Sequence, residues 1–165
     1  MRAPTRQELA DYAEQFASQI AEQTGEELNF GPSSLATLDA VIGKWLDLAS
    51  VYAGQSGQED AGLAVFTAPM AAYLGEIFVR NLHGVWETNP PPDVPIGTHI
   101  VLAGKLRVNV FKKARDVLAG LERPTLSPYY STIANLVRDS HLDVPGPGED
   151  DSETAIPGGA KGHTV

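Results

Sequence analysis

Glu76, Arg80, His83 and Trp86 fall within about three helical turns of the otherwise apolar stretch AAYLGEIFVRNLHGVWE, residues 71–87. A carboxylate, a guanidinium and an imidazole at such spacing are groups used in general acid–base catalysis and in anion binding. A structural reading stands beside that one. Glu76 and Arg80 are four residues apart and meet on one helix face, as an ion pair worth about 0.3–0.5 kcal/mol if exposed. If buried, the pair needs further hydrogen bonds and serves to orient rather than to stabilise. His83 precedes Gly84 at the end of the segment, where a protonated imidazole meets free helix carbonyls. It lacks an identifiable nucleophile partner and a second ligand nearby in sequence, so no catalytic residue, metal ligand or cofactor is assigned. His99 is the histidine that a hairpin would bring towards it.

Tyr73, Glu76, Arg80, His83 and Trp86 therefore form one candidate cluster, functional or packing. Gly75 belongs with it, because glycine inside an apolar helix costs about 1 kcal/mol relative to alanine. Close approach of another backbone explains its presence, with Trp86 as the lid over that contact.

A second candidate is KLRVNVFKKAR, residues 105–115, where Lys105, Arg107, Lys112, Lys113 and Arg115 precede the first acid, Asp116. Such a patch binds phosphate, a nucleic-acid backbone or an acidic protein segment. The plainer reading is a solvated helix face, paired within the chain to an acidic tail. Phe111 is the single aromatic among these residues, which counts against single-strand binding by base stacking.

The whole-chain totals narrow the field. The 165 residues carry a formal charge of -9, which opposes non-specific attraction to nucleic acids and anionic membranes. Residues 139–165 hold -5 of that charge. No run approaches the roughly 18 consecutive apolar residues of a membrane helix, and the first 15 residues turn acidic where a signal peptide is apolar. Without cysteine the chain has no disulfide and no thiol nucleophile. The expectation is a cytoplasmic protein.

The elements that must position these residues follow from periodicity. Leu9, Tyr12, Ala13, Phe16 and Ile20 mark one helix face over about 6–23, with Thr5 and Glu8 at capping-box spacing and Gly25 at the end. Leu35, Leu38, Ile42, Trp45 and Leu46 predict a helix over about 34–49, capped by Ser33 or Ser34, and 54–62 reads as a loop. From about 59 to 80 the chain is apolar all round, as in a central helix, with Pro69 as a kink or restart. The stretches 84–87 and 98–104 read as two strands joined across the proline-rich 89–97, with a strand-to-helix change near Asn109. Pro124 and Pro128 end the next helix, and a final amphipathic one runs from about Tyr129. The predicted fold is α+β: a mainly helical single domain over 1–141 with a small antiparallel β-hairpin. An acidic Pro/Gly-rich segment, 142–165, has too little apolar surface to fold and is expected to be a disordered tail.

Three stretches taken together, LNFGPSSLATLD, AAYLGEIFVRNLHGVWE and LRVNVFKKARDVLAGLERPTLSPYY, resemble a family of bacterial proteins catalogued as a domain of unknown function. Its pattern runs Leu-Asp-(Tyr/Phe)-x-Pro-x-Ser-Leu-x-x-Leu-Asp, then Gly-x-Tyr-x-Gly-Glu with Arg and Gly-Gly-x-Trp, then Asn-Pro-Phe with a basic helix. The match falls on Leu28, Phe30, Pro32, Ser34, Leu35, Leu38 and Asp39, then on Tyr73, Gly75, Glu76, Arg80, Gly84 and Trp86, and last on Asn109, Phe111 and Lys113. Asn29, Ala71, His83 and Val110 depart from it, and the His83 departure argues that this imidazole is not a shared catalytic group. The resemblance implies an α+β helical domain and no activity.

The function expected on these grounds is a non-enzymatic protein-interaction or regulatory module with a protein partner, acting through residues 89–97 or the basic helix. The alternatives are a small-molecule-binding protein or hydrolase with a pocket of Glu76, Arg80, His83 and His99, and weak nucleic-acid binding through 105–115. Oligomeric state is not fixed by the sequence.

Overall fold

The computed structural model describes residues 4–56, 63–87 and 99–142, with 52–56, 99 and 140–142 through their backbone alone. The stretches 54–62, 89–97 and 142–165, read above as a loop, a hairpin loop and a disordered tail, lie wholly or mostly outside the described residues. Helix α1, Arg6–Thr24, begins at the expected capping box: the Glu8 amide donates to Thr5 Oγ1 at 3.1 Å, and Glu8 returns an acceptor to the Thr5 amide. It ends at Gly25, whose left-handed φ of 77° suits a residue without Cβ. Leu9, Ala13, Phe16 and Ile20 point into the core.

Helix α2, Ser34–Ser56, runs through Gly54 and is seven residues longer than its apolar period predicts. Leu35, Leu38, Val41 and Ile42 are buried; beyond them no described residue of α2 is. Ser34, a predicted helix cap, is buried and donates its hydroxyl to the Gly31 carbonyl at 2.7 Å instead. A 3-10 turn, Leu63–Phe66, leads directly into α3, Thr67–Leu82. Pro69 sits in the first turn of α3, where the missing N–H has no intrahelical acceptor to lose, so it marks the restart without a kink. Met70 through Phe78 are all buried, which makes α3 the central helix.

The expected antiparallel hairpin is present as β1, Val85–Glu87, paired with β2, His99–Leu102, and a third strand extends it: β3, Leu106–Val108. Ala103 and Gly104, both at positive φ, turn β2 into β3, and the Lys105 amide closes the turn on the Leu102 carbonyl. Trp86, Ile100 and Val108 stand in one cross-strand row on the buried face, against α3 and α4. Helix α4, Val110–Leu118, starts at Asn109, whose side chain caps the Lys112 amide; α5, Leu126–Leu142, carries Pro128 in its first turn rather than ahead of it.

The start of α5 is held from another helix. Thr125, just before it, donates its hydroxyl to Arg123 O, so the free amides of Leu126 and Ser127 are taken by Asp39 of α2, at 2.8 and 3.0 Å. Burial pushes the Asp39 carboxyl above the usual carboxylate range, against the lowering effect of those two amides and of Lys113. Asp39→Ala removes the cap and the tie between α2 and α5 together. Urea denaturation is expected to show a loss of about 1–2 kcal/mol; a loss below about 0.3 kcal/mol would mean water replaces the carboxylate at no cost.

By length and composition the 20-residue stretch Leu63–Leu82, of mean hydropathy 1.3, suffices to cross a bilayer, contrary to the reading of the sequence. Half of it is buried inside the fold, as befits the central helix.

Candidate functional site

The candidate cluster assembles around the exit of α3. Gly75 and Glu76 are buried on α3, and β1 folds back so that the Trp86 indole lies on Gly75. A Cβ at position 75 would overlap Trp86 Cη2 and Cζ2, so the close approach predicted for Gly75 is real, although the approaching group is the indole rather than a backbone. Trp86 Nε1 donates to Glu76 Oε2 at 2.8 Å, and Arg80 Nε donates to Glu76 Oε1 at 3.2 Å. The carboxylate is thus held at both oxygens, on a residue only 6% exposed.

Arg80 continues outward. Its terminal nitrogen reaches Glu14 of α1 at 3.3 Å, and its guanidinium stacks 3.8 Å from the centroid of Phe30. Phe30 has a left-handed φ of 64°, uncommon for a bulky side chain. Three groups hold it there. Its amide donates to the Tyr73 hydroxyl at 3.0 Å, its carbonyl accepts from Asn81 Nδ2 at 2.9 Å, and its ring lies under Arg80. The Tyr73 hydroxyl is 2.7 Å from Ser34 Oγ, and since Ser34 donates to Gly31 O, Tyr73 donates to Ser34. Burial raises the Tyr73 phenol above its ordinary value, which keeps that proton in place.

Tyr73, Glu76, Arg80 and Trp86 are therefore brought together, and His83 is not. His83 caps α3 in a left-handed conformation with φ 56°, its side chain exposed, while the Gly84 amide closes the helix on Phe78 O. Glu14, Phe30 and Ser34, none of them singled out as candidates, complete the arrangement. Nothing local in the sequence marks Glu14, since its partner is 66 residues away.

The assembly clamps α1, the 25–33 connection, α3 and β1 to one another. Its donors and acceptors are directed at each other, and neither of the two grooves described below is lined by these side chains. Among the described residues no group of three His, Asp or Glu is placed to hold a metal ion. Glu76→Gln tests the clamp: a neutral amide must direct its NH2 at either the Trp86 N–H or Arg80. Thermal and denaturant unfolding should report a loss of about 1.5–3 kcal/mol; an unchanged midpoint would show that one oxygen suffices.

The basic segment does not form a single face. Arg107 is bidentate to Glu87 across the outer face of the sheet, at 2.9 and 3.2 Å. Lys112 pairs with Asp116 at 2.7 Å, and Arg115 lies 3.6 Å from the same carboxylate, which these two cations hold below the usual range. Lys113 is tucked inward between Glu122 at 2.8 Å, Thr125 and the Tyr129 ring. Lys105 is exposed on the β2–β3 turn. Among the described residues, four of the five cations pair with the carboxylates of Glu87, Asp116 and Glu122.

Two open grooves flank α2. The larger, of about 950 Å³, lies between α2, the 3-10 turn and the α4–α5 connection, lined by Leu46, Leu63, Leu118 and Leu121 among others. The smaller, of about 420 Å³, lies towards the end of α1. Neither region was marked as a site by sequence; the signal available was the apolar period of α2 continuing past Ile42. No family model, curated protein or solved structure matches this chain.

Proposed function

We propose that this chain is a non-enzymatic protein-interaction module whose contact surface is the larger groove beside α2. The observation that carries the reading is the apolar wall of that groove: Leu46, Leu63, Leu118 and Leu121 line it, and Leu121 is 76% exposed. Arg115, Glu122 and Arg123 stand along the same groove. An apolar floor with charged residues at its edge is the anatomy of a surface that takes a short amphipathic segment of another protein. Tyr73, Glu76 and Arg80 at the α3 exit, by contrast, are engaged by one another and by Ser34, Trp86 and Glu14, and the exposed His83 stands apart from them, which counts against a hydrolase or small-ligand pocket built from these groups.

The experiment places a photocrosslinking amino acid at position 121 in one sample and at the exposed Gln19 of α1 in another, with native lysate. A defined protein crosslinked from 121 and not from 19, with capture reduced at least tenfold by Leu121→Asp, is the expected result. Equal capture from both positions would refute the groove as the contact surface.

A further inference from the structure

Along the outward side of α2, Ala40, Lys44, Asp47 and Val51 succeed one another at spacings of four, three and four, over about 17 Å of helix. All four are exposed, Val51 to 55%, and Leu48 beside them to 57%. Most charges elsewhere on the described surface are paired, Arg80 with Glu14, Arg107 with Glu87 and Lys113 with Glu122. Lys44 and Asp47 have no hydrogen bond or ion pair to the described residues.

We infer that this seam receives a second copy of the chain, α2 lying antiparallel on α2. The four-three-four spacing is that of a helix-pair seam. With the two-fold axis between residues 45 and 46, Lys44 of each copy meets Asp47 of the other and Ala40 faces Val51, while Leu48 flanks the seam on the same side as its counterpart in the other copy. The charges select both direction and partner. A parallel pair sets Lys44 on Lys44 and Asp47 on Asp47, whereas the antiparallel pair satisfies all four charges by symmetry alone. Desolvation largely offsets the attraction of a covered ion pair, so the charges set the register while Leu48 and Val51 contribute the apolar area. One helix face is smaller than a standard interface, so the dimer is reversible and of micromolar affinity or weaker. Asp47 also stands at the edge of the groove that carries the proposed function, so this contact borders that groove, but it takes a different occupant.

Analytical ultracentrifugation of the full chain tests it. Wild type is expected to show a reversible equilibrium between 17.6 kDa and twice that mass. Asp47→Lys and Lys44→Asp each set like charges face to face twice and should weaken self-association at least tenfold. Mixing the two variants in equal amounts gives every lysine an aspartate and should restore the wild-type dimer as a heterodimer. Leu121→Asp, in the groove, should leave the dimer intact. A wild-type chain that stays monomeric up to about 1 mM overturns the inference. So does a dimer insensitive to Asp47→Lys, a mixture that recovers nothing, or a dimer abolished by Leu121→Asp.

Discussion

Trp86→Ala is expected to destabilise the chain by about 3–5 kcal/mol, a large fraction of the total stability of a domain of this size. The indole is 3% exposed and fills the space above Gly75, so truncation leaves a cavity that the central helix cannot close by itself. The loss has a polar part as well. Glu76 Oε2 gives up its 2.8 Å donor, leaving a carboxylate oxygen unsatisfied on a residue that is 6% exposed. Urea denaturation followed by far-ultraviolet circular dichroism measures the sum. A loss below about 1.5 kcal/mol would mean that the indole contributes little beyond one hydrogen bond. Trp86→Phe separates the parts: the ring retains most of the packing, and the remaining deficit, about 1–3 kcal/mol, reports the lost N–H.

Gly75→Ala is expected to change sign with the state of position 86. In the native background the added methyl overlaps Trp86 Cη2 and Cζ2, and the displaced indole should cost about 1–3 kcal/mol net of any gain in helix propensity. In the Trp86→Ala background the same methyl enters the vacated space and adds the roughly 1 kcal/mol by which alanine exceeds glycine in a helix. The double-mutant cycle should therefore give a coupling of about 2 kcal/mol or more. Additive single-mutant effects would show that the two residues do not share that space.

The legible parts of this fold are those where a local signal and the tertiary outcome agree. The capping box of Thr5 and Glu8, the αL Gly25 and the apolar face of α1 are all read within one helix. The anomaly of Gly75 in an apolar helix pointed to a close contact because the helix-propensity penalty is itself local. His83 is grouped with Glu76 and Arg80 by proximity in sequence, and its place at the end of the helix agrees with the structure. What spacing does not disclose is the left-handed conformation at His83, which leaves the residue exposed and outside the cluster. Strand β3 escaped separate notice since Leu106–Phe111 supports both periodicities and Ala103–Gly104 is a weak turn signal. The basic segment looked like a patch because its cations are contiguous in sequence. Their counter-ions Glu87 and Glu122 are brought in by a strand pairing and by a loop. Only the family pattern touched Asp39, and no local feature discloses that it caps a helix elsewhere in the chain.

That cap also bears on the order in which the chain comes together. Asp39 and Leu126 are separated by 87 residues, and closing so long a segment of free chain costs about 4 kcal/mol of entropy before any bond rewards it. Trp86 and Glu76 are ten residues apart, so closing their contact costs less chain entropy, and β1 is expected to settle on α3 before the longer segment closes, an order that folding-rate changes in Trp86→Phe and Asp39→Ala would check. Once α3, the sheet and α4 have condensed, the ends of the long segment are already near each other, and Asp39 meets α5 at little further entropic cost. In kinetic terms the indole on Gly75 is an early latch, and the carboxylate at the start of α5 is the bolt drawn last.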